Sequence, residues 1–186
     1  TRTACLAAKS VDTKSRKVVD IVYPWGEYYA FDKTTVPPLV YADMVIQSGI
    51  SFDAFGLQFH FGRDVPGMHL RDMMQIAARL DCFAAVPKTV HVTGVSIPDH
   101  EDDGEAAVSK AGHWRKSWDA NLQGLWLEEF YKLALGRPFI NTVTYSQLAD
   151  GPGMMVPGAG LLTSKLSPKK AFLVMAKFQK TIMNRK

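Results

Sequence analysis

Gln58 and His60 stand two residues apart in the run Ser51 to Asp64, SFDAFGLQFHFGRD, and so share one face of an extended strand. Ala54 and Gly56 precede them on that face, while Phe55, Leu57, Phe59 and Phe61 fill the other. Small residues leading to an amide and an imidazole suit a lumen that narrows onto a polar site. There the pair could act through hydrogen bonds. Glu27 follows a β-branched run and is flanked by the aromatic rings of Trp25, Tyr28 and Tyr29. Asp99 opens an acidic stretch with His100, Glu101, Asp102 and Asp103, and Tyr145 and Asp150 bound the loop after a fourth β-rich run. The five histidines show no ligand spacing such as H-E-x-x-H, so no metal is expected. No cofactor is expected either, and no G-x-S-x-G elbow offers a different hydrolytic chemistry.

A chain of 186 residues with 47% hydrophobic and 22% charged residues has the composition of one globular domain spanning 1–186. Its net charge of +4 gathers only in Lys14 to Lys17 and in the tail Lys177 to Lys186. Short clusters of this kind read as solvated surface, so no nucleic-acid role is expected. No apolar run approaches the roughly 18 residues of a membrane span, so no membrane partner is expected. No signal-peptide pattern is visible, and localisation stays open. Cys5 and Cys82 lie far apart in apolar helical contexts and are expected as buried free thiols.

The elements that must position these groups alternate. Strands are expected at Lys17 to Trp25, Phe52 to His60, Thr89 to Ile97 and Phe139 to Tyr145, from their Val, Ile, Thr and aromatic content. Helices follow. One starts at Pro37-Pro38 and closes at Gly49, and a second runs from about His69 to Ala85 with Ile76, Leu80 and Phe83 on its inner side. The longest spans Trp114 to Leu135, and a basic last helix opens after Pro168. Four strands each followed by a helix make four parallel βα units in the α/β class, half of a TIM (β/α)8 barrel. A complete barrel normally needs about 200 to 250 residues. A doubly wound sheet is the other solution, but YPWGEYY is not the glycine-rich turn that such a sheet carries after its first strand. In a barrel the chemistry sits in the loops after the strands, here Trp25 to Tyr29, His60 to Asp64, Ile97 to Asp103 and Tyr145 to Asp150.

The motifs so placed resemble the C-terminal half of a family-10 glycoside hydrolase, the (β/α)8 family of β-1,4-xylanases. Asp53, Gly56, Gln58 and His60 match the D-G-x-G-x-Q-x-H pattern of that family's sixth strand in spacing. TYSQLADG is similar to its last strand, and GLLTSKLSPKKAFLVM to its closing segment. By this resemblance the family's I-T-E nucleophile pattern falls on Val92, Thr93 and Gly94, which puts a glycine at the nucleophile position. The family's acid/base glutamate would lie before Thr1, and Tyr145 and Ser146 stand where tryptophan is usual. Retaining hydrolysis needs two carboxyl groups about 5 to 5.5 Å apart, and the inherited positions supply neither.

The resemblance therefore implies a protein acting on, or derived from an enzyme acting on, β-1,4-linked polysaccharide of the xylan type, with impaired or rearranged catalysis. The alternative is a carbohydrate-binding or purely structural half-barrel that self-associates. Glu27, His60 and Asp99 are the catalytic candidates, and Trp25, Gln58, Tyr145 and Asp150 the substrate-binding ones. The expected partners are a carbohydrate ligand and a second copy of the chain, whose first strand would pair with the fourth strand of the other and so remove both sheet edges.

Overall fold

A computed structural model describes residues 1–101 and 108–184. Four strands, β1 (Val18–Ile21), β2 (Ala54–His60), β3 (Thr89–Ser96) and β4 (Ile140–Val143), form one sheet in that order, and every neighbouring pair is parallel. The helices are α1 (Arg2–Val11), α2 (Pro38–Gln47), α3 (Met73–Cys82), α4 (Ala120–Leu135) and α5 (Lys170–Met183). The expected four parallel βα units are therefore present, each strand leading to a helix.

Local chemistry sets the boundaries. Pro38 occupies the first turn of α2, and Gly49 follows the helix at φ +68°, a left-handed conformation that a residue with a Cβ resists. The second helix begins at Met73 rather than His69, because Asp72 and Gln75 form a reciprocal capping box. The longest helix begins at Ala120, not Trp114. Asp119 accepts from the Leu122 amide at 2.7 Å and caps it, whereas Trp114 bridges back to Lys116 around Arg115 at φ +69°. The outer strands are shorter than expected. Pro24 and the left-handed Gly26 turn the chain away after β1, and among the described residues β4 pairs on one side only.

The sheet has two unlike faces. Val19, Ile21, Phe55, Leu57, Phe59, Val90, Val92, Val95 and Ile140 point to the helices and are buried. They meet Ile76, Leu80 and Phe83 of the α3 segment and Leu122, Trp126, Leu127 and Phe130 of α4. Trp126 stacks on Phe130 with centroids 5.0 Å apart, and Phe59 and Phe61 set their rings against this pair at 5.5 and 5.7 Å. Leu125 is exposed, because the buried stripe of α4 is centred on Trp126 and Phe130. Arg137 forks onto Asp81 at 2.7 and 2.9 Å, tying the end of α4 to α3 and holding the Asp81 carboxyl below its ordinary pKa.

The cysteines differ from expectation. Cys5 is half-buried and Cys82 is exposed, because α1 lies at the rim with no buried residue and Cys82 faces solvent at the end of α3. No helix among the described residues is long and apolar enough to cross a membrane.

Candidate functional site

The other face of the sheet carries hydrogen-bonding side chains. Strand alternation puts Asp20 of β1 and Gln58 and His60 of β2 on it, as the two-residue period requires. On β3 the ladder slips. Leu57 faces Val92 but Gln58 faces Gly94, so Thr93 is an extra residue and this bulge turns its hydroxyl inward. A continuous network results. Thr93 Oγ1 donates to Asp20 Oδ1 at 2.6 Å, and Gln58 Nε2 donates to Asp20 Oδ2 at 3.2 Å. His60 Nε2 lies 3.2 Å from Gln58 Oε1, and His60 Nδ1 lies 3.0 Å from Ser96 Oγ. Burial lowers the pKa of His60 below its ordinary 6.5, so the ring is neutral at pH 7.

Gly94 faces this imidazole. A Cβ built there would stand 3.0 Å from His60 Cε1, 3.1 Å from His60 Nε2 and 3.0 Å from Ser146 Oγ. A longer side chain at that position would require His60 or Ser146 to give way by a few tenths of an ångström. Lower on the same face, His91 Nδ1 pairs with Thr142 Oγ1 at 2.7 Å.

The mouth carboxylates are engaged elsewhere. Glu27, on a short 3-10 turn, is ion-paired with Arg71 and accepts from the Gly67 amide. Trp25 is not on the open face. Its ring packs edge-on against Phe59 and Phe61 on the helix side, with the Arg71 guanidinium 5.7 Å from its centroid. Tyr29 is half exposed on the same turn.

Asp99 and Asp150 converge on one cation. The nearly buried Lys169, which precedes α5, lies 2.7 Å from Asp99 Oδ2 and 3.0 Å from Asp150 Oδ2, and donates to the Gly158 carbonyl at 2.8 Å. Asp150 also accepts from the Gly160 amide, and His100 Nδ1 lies 2.5 Å from Asp99 Oδ1. Glu101 pairs with His113 at 3.4 Å, while Asp102 and Asp103 lie outside the described residues.

Tyr145 turns away from the open face. Its hydroxyl donates to the Ala159 carbonyl, and burial raises its pKa. Its ring helps to line an apolar cleft of about 370 Å³ with Tyr131, Phe172, Met175 and Phe178, between α4 and α5. Of the seven candidate residues, only Gln58 and His60 thus share the open face, together with Gly94. Asp20, Thr93, Ser96 and Ser146 join them there, while Arg71 holds Glu27 and Lys169 holds Asp99 and Asp150. The signal for Asp20 was the alternation of VVDI, one acid on the face opposite Val19 and Ile21. Thr93 gave none, since a bulge is invisible in a β-branched run.

Among the described residues no cluster of three or more His, Cys, Asp or Glu side chains could hold a metal ion. A scan against family models and a search of curated proteins by sequence return no match. Solved structures do match by fold. The chain superposes on native xylanase 10B from Thermotoga maritima with a TM-score of 0.65 at 14% identity, covering 100% of this chain and 53% of that one. With the intracellular xylanase of Thermoanaerobacterium saccharolyticum, in complex with xylotetraose, the TM-score is 0.63 at 16% identity over 94% of this chain and 48% of that one. A family-10 structure from Paenibacillus barcinonensis gives 0.61 at 18% identity, over 95% and 50%. The chain thus spans about half the length of these structures. It has the α/β architecture of four parallel βα units that makes half of such a TIM barrel.

Proposed function

We propose that this chain is a half-barrel of the xylanase type that binds β-1,4-linked polysaccharide through the open face of its sheet and lacks ordinary retaining hydrolysis. The observation that carries this reading is Gly94. It faces His60 and Ser146 at the place where the resemblance implies a nucleophile, and it has no atom able to attack an anomeric carbon. Glu27, Asp99 and Asp150 do not replace it, since each is held by a cation outside the open face. What remains is suited to recognition, with Asp20, Gln58, Thr93 and Ser146 offering donors and acceptors along one face of the sheet and the buried His60 engaged beneath them.

Reducing-sugar release from xylan and from aryl β-glycosides, set against calorimetric binding of xylo-oligosaccharides, tests this directly. Binding without turnover is expected, and turnover at rates normal for xylanases would overturn it. Gly94→Glu alone should leave hydrolysis absent, because it supplies no proton donor and must displace His60 or Ser146.

Self-association is the second reading, favoured by the two open edges. Among the described residues β1 pairs only with β2, and β4 only with β3. Two copies pairing β4 with β1 across a two-fold axis would give each edge a partner. The segments before β1 and around α5 are basic, however. Residues 1–17 hold Arg2, Lys9, Lys14, Arg16 and Lys17 against Asp12 alone, and residues 165–184 hold Lys165, Lys170, Lys177 and Lys180 besides the ion-paired Lys169. A closed dimer should therefore tighten as salt screens these charges. Light scattering at micromolar concentration that gives a monomer at both 50 mM and 1 M salt would eliminate it.

A further inference from the structure

Asp20 is held in a way that none of the mouth carboxylates is. To reach Thr93 it must lie flat across β2, and it does so over Gly56. A Cβ at residue 56 would overlap Asp20 Oδ1 and stand 2.8 Å from both Thr93 Oγ1 and Thr93 Cγ2. The missing side chain, the bulge that turns Thr93 inward and the strand that carries Asp20 therefore make one device spanning β1, β2 and β3. Among the described residues no cation pairs with this carboxylate. Its two hydrogen bonds come from neutral donors, and the group is exposed on the open face. An ionised carboxylate has about four lone-pair sites, so roughly half its accepting capacity faces outward with its charge uncompensated.

The device also orders its neighbours. With the Gln58 amide nitrogen donating to Asp20, the Gln58 carbonyl oxygen must face His60. His60 Nε2 then carries the proton and donates to that oxygen, and Nδ1 accepts from the Ser96 hydroxyl. A neutral partner at residue 20 that can donate as well as accept would remove the constraint on the Gln58 amide, and with it the constraint on the imidazole.

We propose that Asp20 is the ligand-reading carboxylate of the open face. It accepts hydroxyl groups of a polyhydroxylated ligand through charge-assisted hydrogen bonds and, through Gln58, fixes the proton of His60 on Nε2. The ligand class rests on the reading given above, while the positioning of His60 does not.

Asp20→Asn keeps the shape and removes the charge. Nitrogen-15 chemical shifts of the His60 ring in the ligand-free protein should report the Nε2–H tautomer in the wild type and a mixed or inverted tautomer in Asp20→Asn. Calorimetry with xylotetraose should show binding at least tenfold weaker in Asp20→Asn and in Gly56→Ala, which ejects the carboxylate from its seat. Thr93→Val, which removes one tether, should give a smaller loss. An unchanged tautomer, or xylotetraose binding within twofold of wild type in Asp20→Asn, overturns the proposal. If the wild type binds no xylotetraose, the carbohydrate reading falls, and the tautomer measurement alone decides the role of Asp20 as the positioning residue.

Discussion

The mouth and the open face of the sheet use carboxylates in opposite ways. At the mouth, Glu27 is matched by Arg71, and Asp99 and Asp150 share Lys169, so each negative charge is spent on holding a loop. On the open face Asp20 meets only neutral hydroxyl and amide donors, and the imidazole beside it is neutral. A charge cancelled by a partly buried partner stabilises an arrangement but cannot engage a ligand without first breaking that pair. A charge tethered by neutral donors keeps its direction and its capacity to accept. Acidity and position after a strand are therefore poor guides to chemistry in this molecule, and the partner of each carboxylate is the better one.

The largest effect that would sharpen this contrast is at Lys169. Replacing it with Met leaves Asp99 and Asp150 without their shared cation and the Gly158 carbonyl with one donor fewer, Gln123 Nε2 remaining. Unfolding in urea should show a loss of about 3 kcal/mol, with the Gly151 to Gly160 loop the first region to lose amide protection. A loss below about 1 kcal/mol would mean the pairs are no stronger than surface ones, and the contrast would fail.

Glu27→Gln comes next. It weakens the link between the loops after β1 and β2, and about 1 to 2 kcal/mol of stability should disappear. Binding of xylotetraose should stay within twofold, because the side chain is not on the open face. A tenfold loss of binding would return Glu27 to the site.

The smallest effect concerns pH. Burial depresses the pKa of His60, so the unfolded chain takes up a proton near 6.5 while the folded one resists it. The unfolded state then binds more protons in that window. Stability is full above pH 6.5 and declines as the pH falls from 6.5 towards the lower folded value, below which this contribution is flat. Asn at residue 60 should remove this component of the pH profile, as measured by thermal unfolding between pH 7.5 and 4.5. A profile unchanged by the substitution would place the titration elsewhere.

Much of the fold was readable because its causes are local. The alternation of SFDAFGLQFHF separates an aromatic face from a polar one, and packing follows that division, with Phe55, Leu57 and Phe59 under the helices and Gln58 and His60 on the other side, although β2 is buried on both faces except at Gln58. Pro37-Pro38, Gly49 and the β-branched run from Thr89 mark boundaries by backbone chemistry alone. Where one periodic pattern ran on past a better cap, the boundary was missed. Asp119 and Asp72 stop the helices that apolar spacing extends to Trp114 and His69.

The sequence by itself determined the four parallel βα units, the two faces of the central strand and the absence of a carboxylate at residue 94. These depend on periods of two and 3.6 and on the identity of single residues. Only the tertiary structure decided which acids are free to act. Arg71 reaches Glu27 across 44 positions of chain, Lys169 reaches Asp99 across 70, and Thr93 meets Asp20 across 73. Pairings over such separations leave no period in the sequence. They are set by strand order, by one bulge and by a glycine whose missing side chain leaves room for a carboxylate.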